Sequence, residues 1–454
     1  MSVGVGDGTA MMAAFVASGP IGPQARERAA AAFADTIGVM LAGARESAAR
    51  MAQAMAAEEG TGPCGVPGTA IRTGPQLAAF ANGVAAHALD YDDMCFVSLA
   101  HPSCVLVPAA LAAGELTSAR ASLLLDAYVA GFEIECRLGA VMNPRHYHQR
   151  GWHCTSSIGT LGAAAAAARV LGLDAARARH ALGIAASAAC GVKENLGTMV
   201  KPLHAGLAAR NGVMAAQLAQ RGFTASLQAL DGPQGYLAAM DSEHRSLDPA
   251  TADLGTRWEI LETGVTVKLY PSCAATHPPL DALIDLQRRE GFTPADIDAI
   301  DVEVDSMTPR LLIHPSPADG LAAKFSMPFC AAAALVYGPP DLATFDLTHI
   351  RNPAVQALMP RVTLRANPAF DAAAPLSQAR VTVRLRDGRQ FVEVSDGARG
   401  YPGRLTDGEL SSKFAACASG TLTAAGAAAA WAALQDLGRM TDVRDLTATV
   451  ATTA

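Results

Sequence analysis

Four short stretches concentrate the side chains that can move protons or grip anions. The first is Asp90-Tyr91-Asp92-Asp93, followed by His101-Pro102-Ser103. Carboxylates beside a histidine set its tautomer and raise its basicity, so Asp90 and His101 read as an acid/base pair. The blander use of the same acidic run is a loop in which one aspartate caps the next helix. The second stretch is Asn143-Pro144-Arg145-His146-Tyr147-His148-Gln149-Arg150-Gly151-Trp152-His153. It is locally cationic and rich in donors, which suits a carboxylate ligand with arginine as the bidentate partner. His146, His148, His153 and Cys154 are all metal-ligand types, but their spacing matches no standard zinc pattern, and no metal is expected. A solvated loop is the plain alternative for His146 and Arg145.

The third stretch runs from Lys193 to Gly206 and contains Lys201-Pro202-Leu203-His204. Lys201 stands just before a helix start, where no helix C-terminus favours a cation; a bound anion would. The alternative is a surface lysine laid along its own stem. The fourth stretch, Lys268-Leu269-Tyr270-Pro271-Ser272-Cys273-Ala274-Ala275-Thr276-His277, falls where the sequence pattern changes, and domain junctions are preferred pocket positions. Nothing like Gly-x-Ser-x-Gly surrounds Ser272, so covalent catalysis is the weaker use, and Cys273 reads as a buried thiol.

These stretches lie between apolar segments that must position them. From Pro23 to about Gly222 the chain reads as helix after helix, with segments at Gln24–Ala42, Gln76–Leu89, Val105–Glu115, Leu123–Val141, Ser157–Leu171, Asp174–Ala189 and Ala205–Arg221. They are apolar nearly all round, as expected inside a bundle, with Gly43 as a candidate C-terminal cap of the first. After Tyr270 the period changes. Ala299–Val304, Arg361–Arg365, Ala379–Arg386 and Gln390–Val394 read as strands, the last two joined through Asp387-Gly388, a hairpin signal. Helices lie between them at His277–Arg289 and near Leu321–Tyr337. Helical pattern returns at Asp407–Ala418 and Thr421–Leu437. The expected fold is mainly α: a large helical domain over 1–266, an inserted smaller α+β domain over 267–395, and helices over 396–454 that return to the first domain.

Composition narrows the function. With 454 residues, two domains are the natural expectation. Half the residues are hydrophobic and 17% are charged, so a large core is affordable and general disorder is excluded. The net charge of -7 and the lack of a basic run argue against a nucleic-acid partner. Nine cysteines without paired spacing fit reduced thiols and a cytoplasmic location. Met1 to Pro20 lacks the basic start of a signal peptide, and the Ala-rich runs are too short to span a bilayer. No dinucleotide or P-loop glycine pattern is present.

In order and approximate spacing, Leu89-Asp90-Tyr91-Asp92-Asp93 with His101-Pro102-Ser103, Gly151-Trp152-His153, Gly197-Thr198-Met199 with Lys201-Pro202-Leu203-His204-Ala205-Gly206, and Lys268-Leu269-Tyr270-Pro271 with Cys273 resemble the MmgE/PrpD family over nearly the whole chain. The resemblance implies a cofactor-independent and metal-free enzyme on a small di- or tricarboxylate, and a homodimer. It puts active-site positions on Asp90, His101, His153, Lys201 and Lys268, with Tyr147 as a further catalytic candidate from epimerase-like members. Arg150 and His204 join Lys201 and Lys268 as expected substrate ligands. Met94 stands where dehydratase and decarboxylase members tend to carry threonine, which removes a hydroxyl contact to a substrate carboxylate. The lysine–histidine set within that family frame makes dehydration, by acid/base proton transfer next to a carboxylate, the expected reaction. Epimerisation of an iminodisuccinate-like acid and decarboxylation of cis-aconitate type are the alternatives, and a catalytically silent carboxylate-binding protein is the non-enzyme one.

Overall fold

A computed structural model describes residues 7–373 and 377–452, which leaves the first residues of the N-terminal stretch discussed above outside the described part. The chain forms two compact units, Met1–Thr266 with Thr406–Ala454, and Val267–Leu405. The architecture is mainly α with a small α+β part.

The first unit is a bundle of helices whose apolar residues are small. In the helix Gly159–Val170, Ala163 to Ala168 are all fully buried. Small side chains let helix axes approach, and at several crossings the approach admits no Cβ at all. Gly43 is the last residue of the helix Pro23–Gly43, and a Cβ there would stand 2.0 Å from the Ala85 carbonyl oxygen. It therefore serves close packing and is not the left-handed cap expected from its position; the cap residue is Ala44, in right-handed conformation. The helices Pro75–His87 and Val200–Gln220 cross at Gly83 and Gly206, where a Cβ on Gly206 would lie 2.6 Å from the Phe80 carbonyl oxygen. That crossing carries the C-terminal end of one helix, with His87, to the N-terminal end of the other, with Lys201 and His204. Gly206→Ala is expected to overpack the crossing and cost about 1–3 kcal/mol of stability, readable as a lower urea midpoint. An unchanged midpoint would show that the helices part freely there.

The C-terminal helix Asp407–Ala418 starts from a capping box between Thr406 and Glu409, and packs on Pro23–Gly43. Its Lys413 Nζ lies 2.6 Å from Asp35 Oδ1, with both side chains buried, and donates to the Tyr91 carbonyl at 2.8 Å. The tail thus completes the first unit's core and also ties down the acidic loop.

In the second unit four strands stand in the order Val362–Ala366, Ile297–Val304, Ala379–Leu385, Gln390–Ser395. The first pair is parallel and the others antiparallel, with Val302 opposite Leu364 and Val381. Ile300, Val302, Val304, Val381 and Val383 share the buried face, each contributing about 1.5–3 kcal/mol. The helices His277–Glu290 and Met327–Tyr337 cover that face. The expected Leu321–Tyr337 helix is two pieces, Gly320–Ala323 and Met327–Tyr337, because Ser326 accepts from Phe329 N and Pro328 opens the second. The unit ends at Leu405, later than the Ser395 limit read from the strand pattern. Asp281 accepts from the backbone N–H and the guanidinium of Arg399, and Tyr401 donates to the Ser377 carbonyl, so residues 396–405 belong with the sheet.

Candidate active site

The acidic loop begins where the helix Pro75–His87 ends. Asp90 adopts φ +52, a left-handed conformation that Asp tolerates better than most residues, and this turns the chain sharply. Backbone bridges Met94–Thr266 and Cys95–Ala100 then fold the run back, and His101 N donates to Thr155 Oγ1 at 3.0 Å. The three aspartates consequently point to three different partners.

Asp93 meets the first residue of the helix Ser103–Thr117, whose N-cap position is Pro102. Its Oδ1 accepts from Ser103 N at 3.2 Å and its Oδ2 from Ser103 Oγ, and that hydroxyl also meets Tyr128 OH at 2.6 Å. Burial first, and then the charge of Asp35, push the Asp93 carboxyl up to about 8. Asp92 is enclosed completely and faces two imidazoles, with Oδ2 at 2.7 Å from His87 Nδ1 and 3.3 Å from His101 Nδ1. Burial alone would raise it, but His87 and His101 hold it well below the usual carboxylate range. Asp90 accepts from Lys201 Nζ at 2.6 Å. Asp90 is thus one partner of the lysine that the sequence marked as a place for a bound anion.

His101 Nδ1 lies 2.9 Å from the Asp93 carbonyl oxygen, which can only accept. Nδ1 therefore carries the hydrogen, and in the neutral ring Nε2 has the lone pair. The orienting groups of His101 are the Asp93 carbonyl and Asp92. Asp90, expected in that role, instead lies 4.0 Å from Nε2. The reactive nitrogen thus sits beside the Asp90–Lys201 pair, a suitable place for a base next to a substrate carboxylate.

His153 caps the short helix Cys154–Ser157, and its backbone N–H is fixed to the Gly191 carbonyl at 3.0 Å. Its Nδ1 lies 3.1 Å from His204 Nδ1. One of the two nitrogens donates and the other accepts, so the pair shares a hydrogen. Burial, followed by His87 and Lys201, holds His153 well below the usual histidine range; burial and Lys201 lower His204. The rings of His101 and His153 both flank His87, at centroid distances of 4.7 and 5.8 Å.

Of the residues singled out by sequence, Asp90, His101, His153, Lys201 and His204 therefore come together in the first unit. Arg150 pairs with Asp241. Arg145–Gln149 forms a single π-helical turn, with the Tyr147 ring 3.8 Å from Lys193 Nζ. Arg145 and Arg150 both bind Asp241, as does Arg245, so one carboxylate takes up much of the loop's charge. His146 is no solvated loop residue. It is fully buried, bonds Ser157 Oγ at 2.7 Å, stacks on Trp152 and is lowered to about 4 by burial. Lys268 belongs to the second unit, where it is buried; Ser272 bonds Thr276, and Cys273 is only half-buried.

Two functional candidates escaped the sequence reading. His87 is the one histidine in an otherwise apolar helix, five residues before Asp92, and that isolation was its signal. Glu135 lies in the helix Ala121–Met142 with neither carboxyl oxygen hydrogen-bonded among the described residues. Burial, with Cys95 and Asp93 nearby, holds it well above the usual carboxylate range. The folded chain keeps that proton while the unfolded chain loses it above the ordinary value of 4.5, so Glu135 should destabilise the fold increasingly as pH rises from there. Glu135→Gln has no proton to lose. Its stability advantage should grow by about 1.4 kcal/mol per pH unit, measured by urea unfolding between about pH 5 and pH 7. A constant difference would mean that Glu135 ionises inside the fold.

Potential metal ligands also converge. One donor atom each from His87, Asp90, Asp92 and His101 lies within 4.8 Å of the others. Lys201 already occupies Asp90, and His87 occupies Asp92, so these groups satisfy one another as an acid/base network. All nine cysteines are free thiols, Cys95 and Cys136 with sulfurs 3.7 Å apart. Among the described residues, no helix is long and apolar enough to cross a membrane.

Comparison with known proteins agrees with this frame. Residues 10–247 match the MmgE/PrpD N-terminal domain and residues 270–438 the MmgE/PrpD C-terminal domain. The human cis-aconitate decarboxylase is 31% identical over 363 residues, 78% of this chain and 74% of the relative. A cis-aconitate decarboxylase-like protein of Aspergillus oryzae is 30% identical over 386 residues, 80% of each chain. The cis-aconitate decarboxylase of Aspergillus terreus is 28% identical over 412 residues, 86% of this chain and 84% of the relative.

Proposed function

This chain belongs to the MmgE/PrpD family, and from that premise we propose that it is a cofactor-independent lyase acting on a small tricarboxylate of the aconitate type. The observation that carries the reading is the buried juxtaposition of His101 Nε2 with the Asp90–Lys201 pair. A carboxylate destabilises a carbanion next to it unless a cation neutralises it, and Lys201 offers that charge in a site of low polarity. His101 is the base or acid on one side; His153, able to present Nε2–H when His204 donates to its Nδ1, is the second proton-transfer group.

The names of the relatives make decarboxylation the first assignment, ahead of the dehydration expected from sequence. In that reaction the bond to one carboxylate breaks, carbon dioxide leaves, and the electron pair left on carbon takes a proton from a histidine. Dehydration is the second reading, favoured by the His153–His204 pair, whose proton can pass to a leaving hydroxide while His101 takes one from carbon. Both reactions use the same residues, and cis-aconitate, citrate, 2-methylcitrate, iminodisuccinate and malate followed by proton NMR in deuterium oxide separate them. Loss of carbon dioxide from an aconitate-type acid is the expected result, with the same rate after dialysis against EDTA. Water loss would move the assignment to a hydro-lyase. Deuterium exchange without loss of mass would move it to an epimerase, and binding without turnover would leave a carboxylate-binding protein.

A further inference from the structure

His87 takes no direct part in the proton transfers just described, yet it is the most enclosed imidazole of the cluster. Its ring is fully buried. Nδ1 is 2.7 Å from Asp92 Oδ2, while Nε2 has no hydrogen-bond partner among the described residues. Asp92 in turn has no hydrogen bond to its Oδ1. Its Oδ2 lies 2.7 Å from His87 Nδ1 and 3.3 Å from His101 Nδ1, and the Cys104 thiol is a further neighbour of the carboxylate. The shorter of the two contacts goes to the histidine that does no chemistry.

We propose that His87 is a positioning residue that donates its Nδ1–H to Asp92 and thereby sets the proton affinity of the Asp92–His101 pair. This deepens the acid/base reading above and rests on it. A buried carboxylate needs donors to stay ionised. With His87 in place, Asp92 is stabilised without a proton of its own, and His101 can lose its extra proton and act as a base. Without that donor, the deprotonated pair is the state that loses support. The pair then takes up a proton at higher pH, whether the proton settles on His101 or on Asp92, because the two titrate as one unit. The other groups around the pair are Asp90, Lys201, the Asp93 carbonyl and carboxyl and the Cys104 thiol, with His153 across the His87 ring. None of them is replaced in the variants below. Burial lowers His87 itself to about 4, so its replacement by an uncharged side chain removes a hydrogen bond and leaves the net charge of the site unchanged at neutral pH.

The test is titration of the His101 ring by proton NMR in the ligand-free protein, which needs no substrate and so stays decisive if the proposed reaction is wrong. His87→Phe keeps a flat ring between His101 and His153 and removes both nitrogens. Its His101 midpoint should rise by about one pH unit, the scale of one hydrogen bond to a buried charge. His87→Asn places an amide N–H near the position of Nδ1 and should titrate as the parent does. Should His87→Phe not fold, His87→Leu provides the same donor-free comparison. On a substrate that turns over, the acid limb of kcat/KM should follow the same pattern, shifted in Phe and restored in Asn. A His101 midpoint unchanged in the donor-free variant, or shifted equally in Asn, overturns the proposal and makes His87 a packing residue.

Discussion

His101→Asn is expected to lower kcat by about 10³-fold on whichever acid is turned over, within the range that one general acid or base contributes. Asparagine is chosen because its amide N–H can keep the bond to the Asp93 carbonyl, which His101 Nδ1 makes at 2.9 Å, while nothing replaces the Nε2 lone pair. The loop should therefore keep its shape, and circular dichroism and the melting temperature should stay near those of the parent. KM should change little, because Lys201, the proposed carboxylate ligand, is untouched. Turnover within tenfold of the parent would remove His101 from the chemistry and shift attention to His153.

Lys201→Met should do damage of a different kind. It leaves Asp90 without the ammonium that sits 2.6 Å from Oδ1, in a place where both side chains are nine-tenths buried. Removing one partner of a buried pair strands the other charge, at a cost of about 3–5 kcal/mol. Activity should vanish as well if, as proposed, this cation faces a substrate carboxylate. The double variant Lys201→Met, Asp90→Asn separates the two effects. Asparagine is neutral and tolerates the left-handed φ of position 90, so urea unfolding should show most of the stability returning while activity stays lost. Recovery of activity in the double variant would mean that Lys201 is only a structural counter-ion.

How far these groups were legible in the sequence follows from what each one needs. The helical segments were readable because alanine-rich, apolar stretches between glycines and prolines have few other structures open to them, and Asp387-Gly388 announced its hairpin. Asp90, His101, His153, Lys201 and His204 were readable because reactive residue types stood in compact phrases at helix joins. Direction was not readable. Three carboxylates within four residues point to Ser103, to two imidazoles and to a lysine around a positive φ at Asp90, and no pattern of residue types encodes that turn. His87 was missed because a histidine ending an apolar helix looks like core, and only the crossing at Gly83 and Gly206 brings it toward Lys201 and His204. The arginines of the second stretch promised a cationic pocket, but their partner Asp241 lies nearly a hundred residues away in sequence, beyond any local pattern.

The interruption of the first unit by the second has a consequence for how the protein is made. A chain emerging from the ribosome delivers Asp35 and the acidic loop early, then all of Val267–Leu405, and only afterwards Lys413. Until that lysine arrives, Asp35 has not received its ammonium ion and the Tyr91 carbonyl has not received its donor. The inserted unit has its whole sheet and covering helices in one continuous piece and can be finished while synthesis continues. The reactive loop cannot. Its lysine anchor follows the whole inserted unit in the chain, so a nascent chain that stalls before Asp407 carries every proposed acid/base residue without the lysine that fixes their loop.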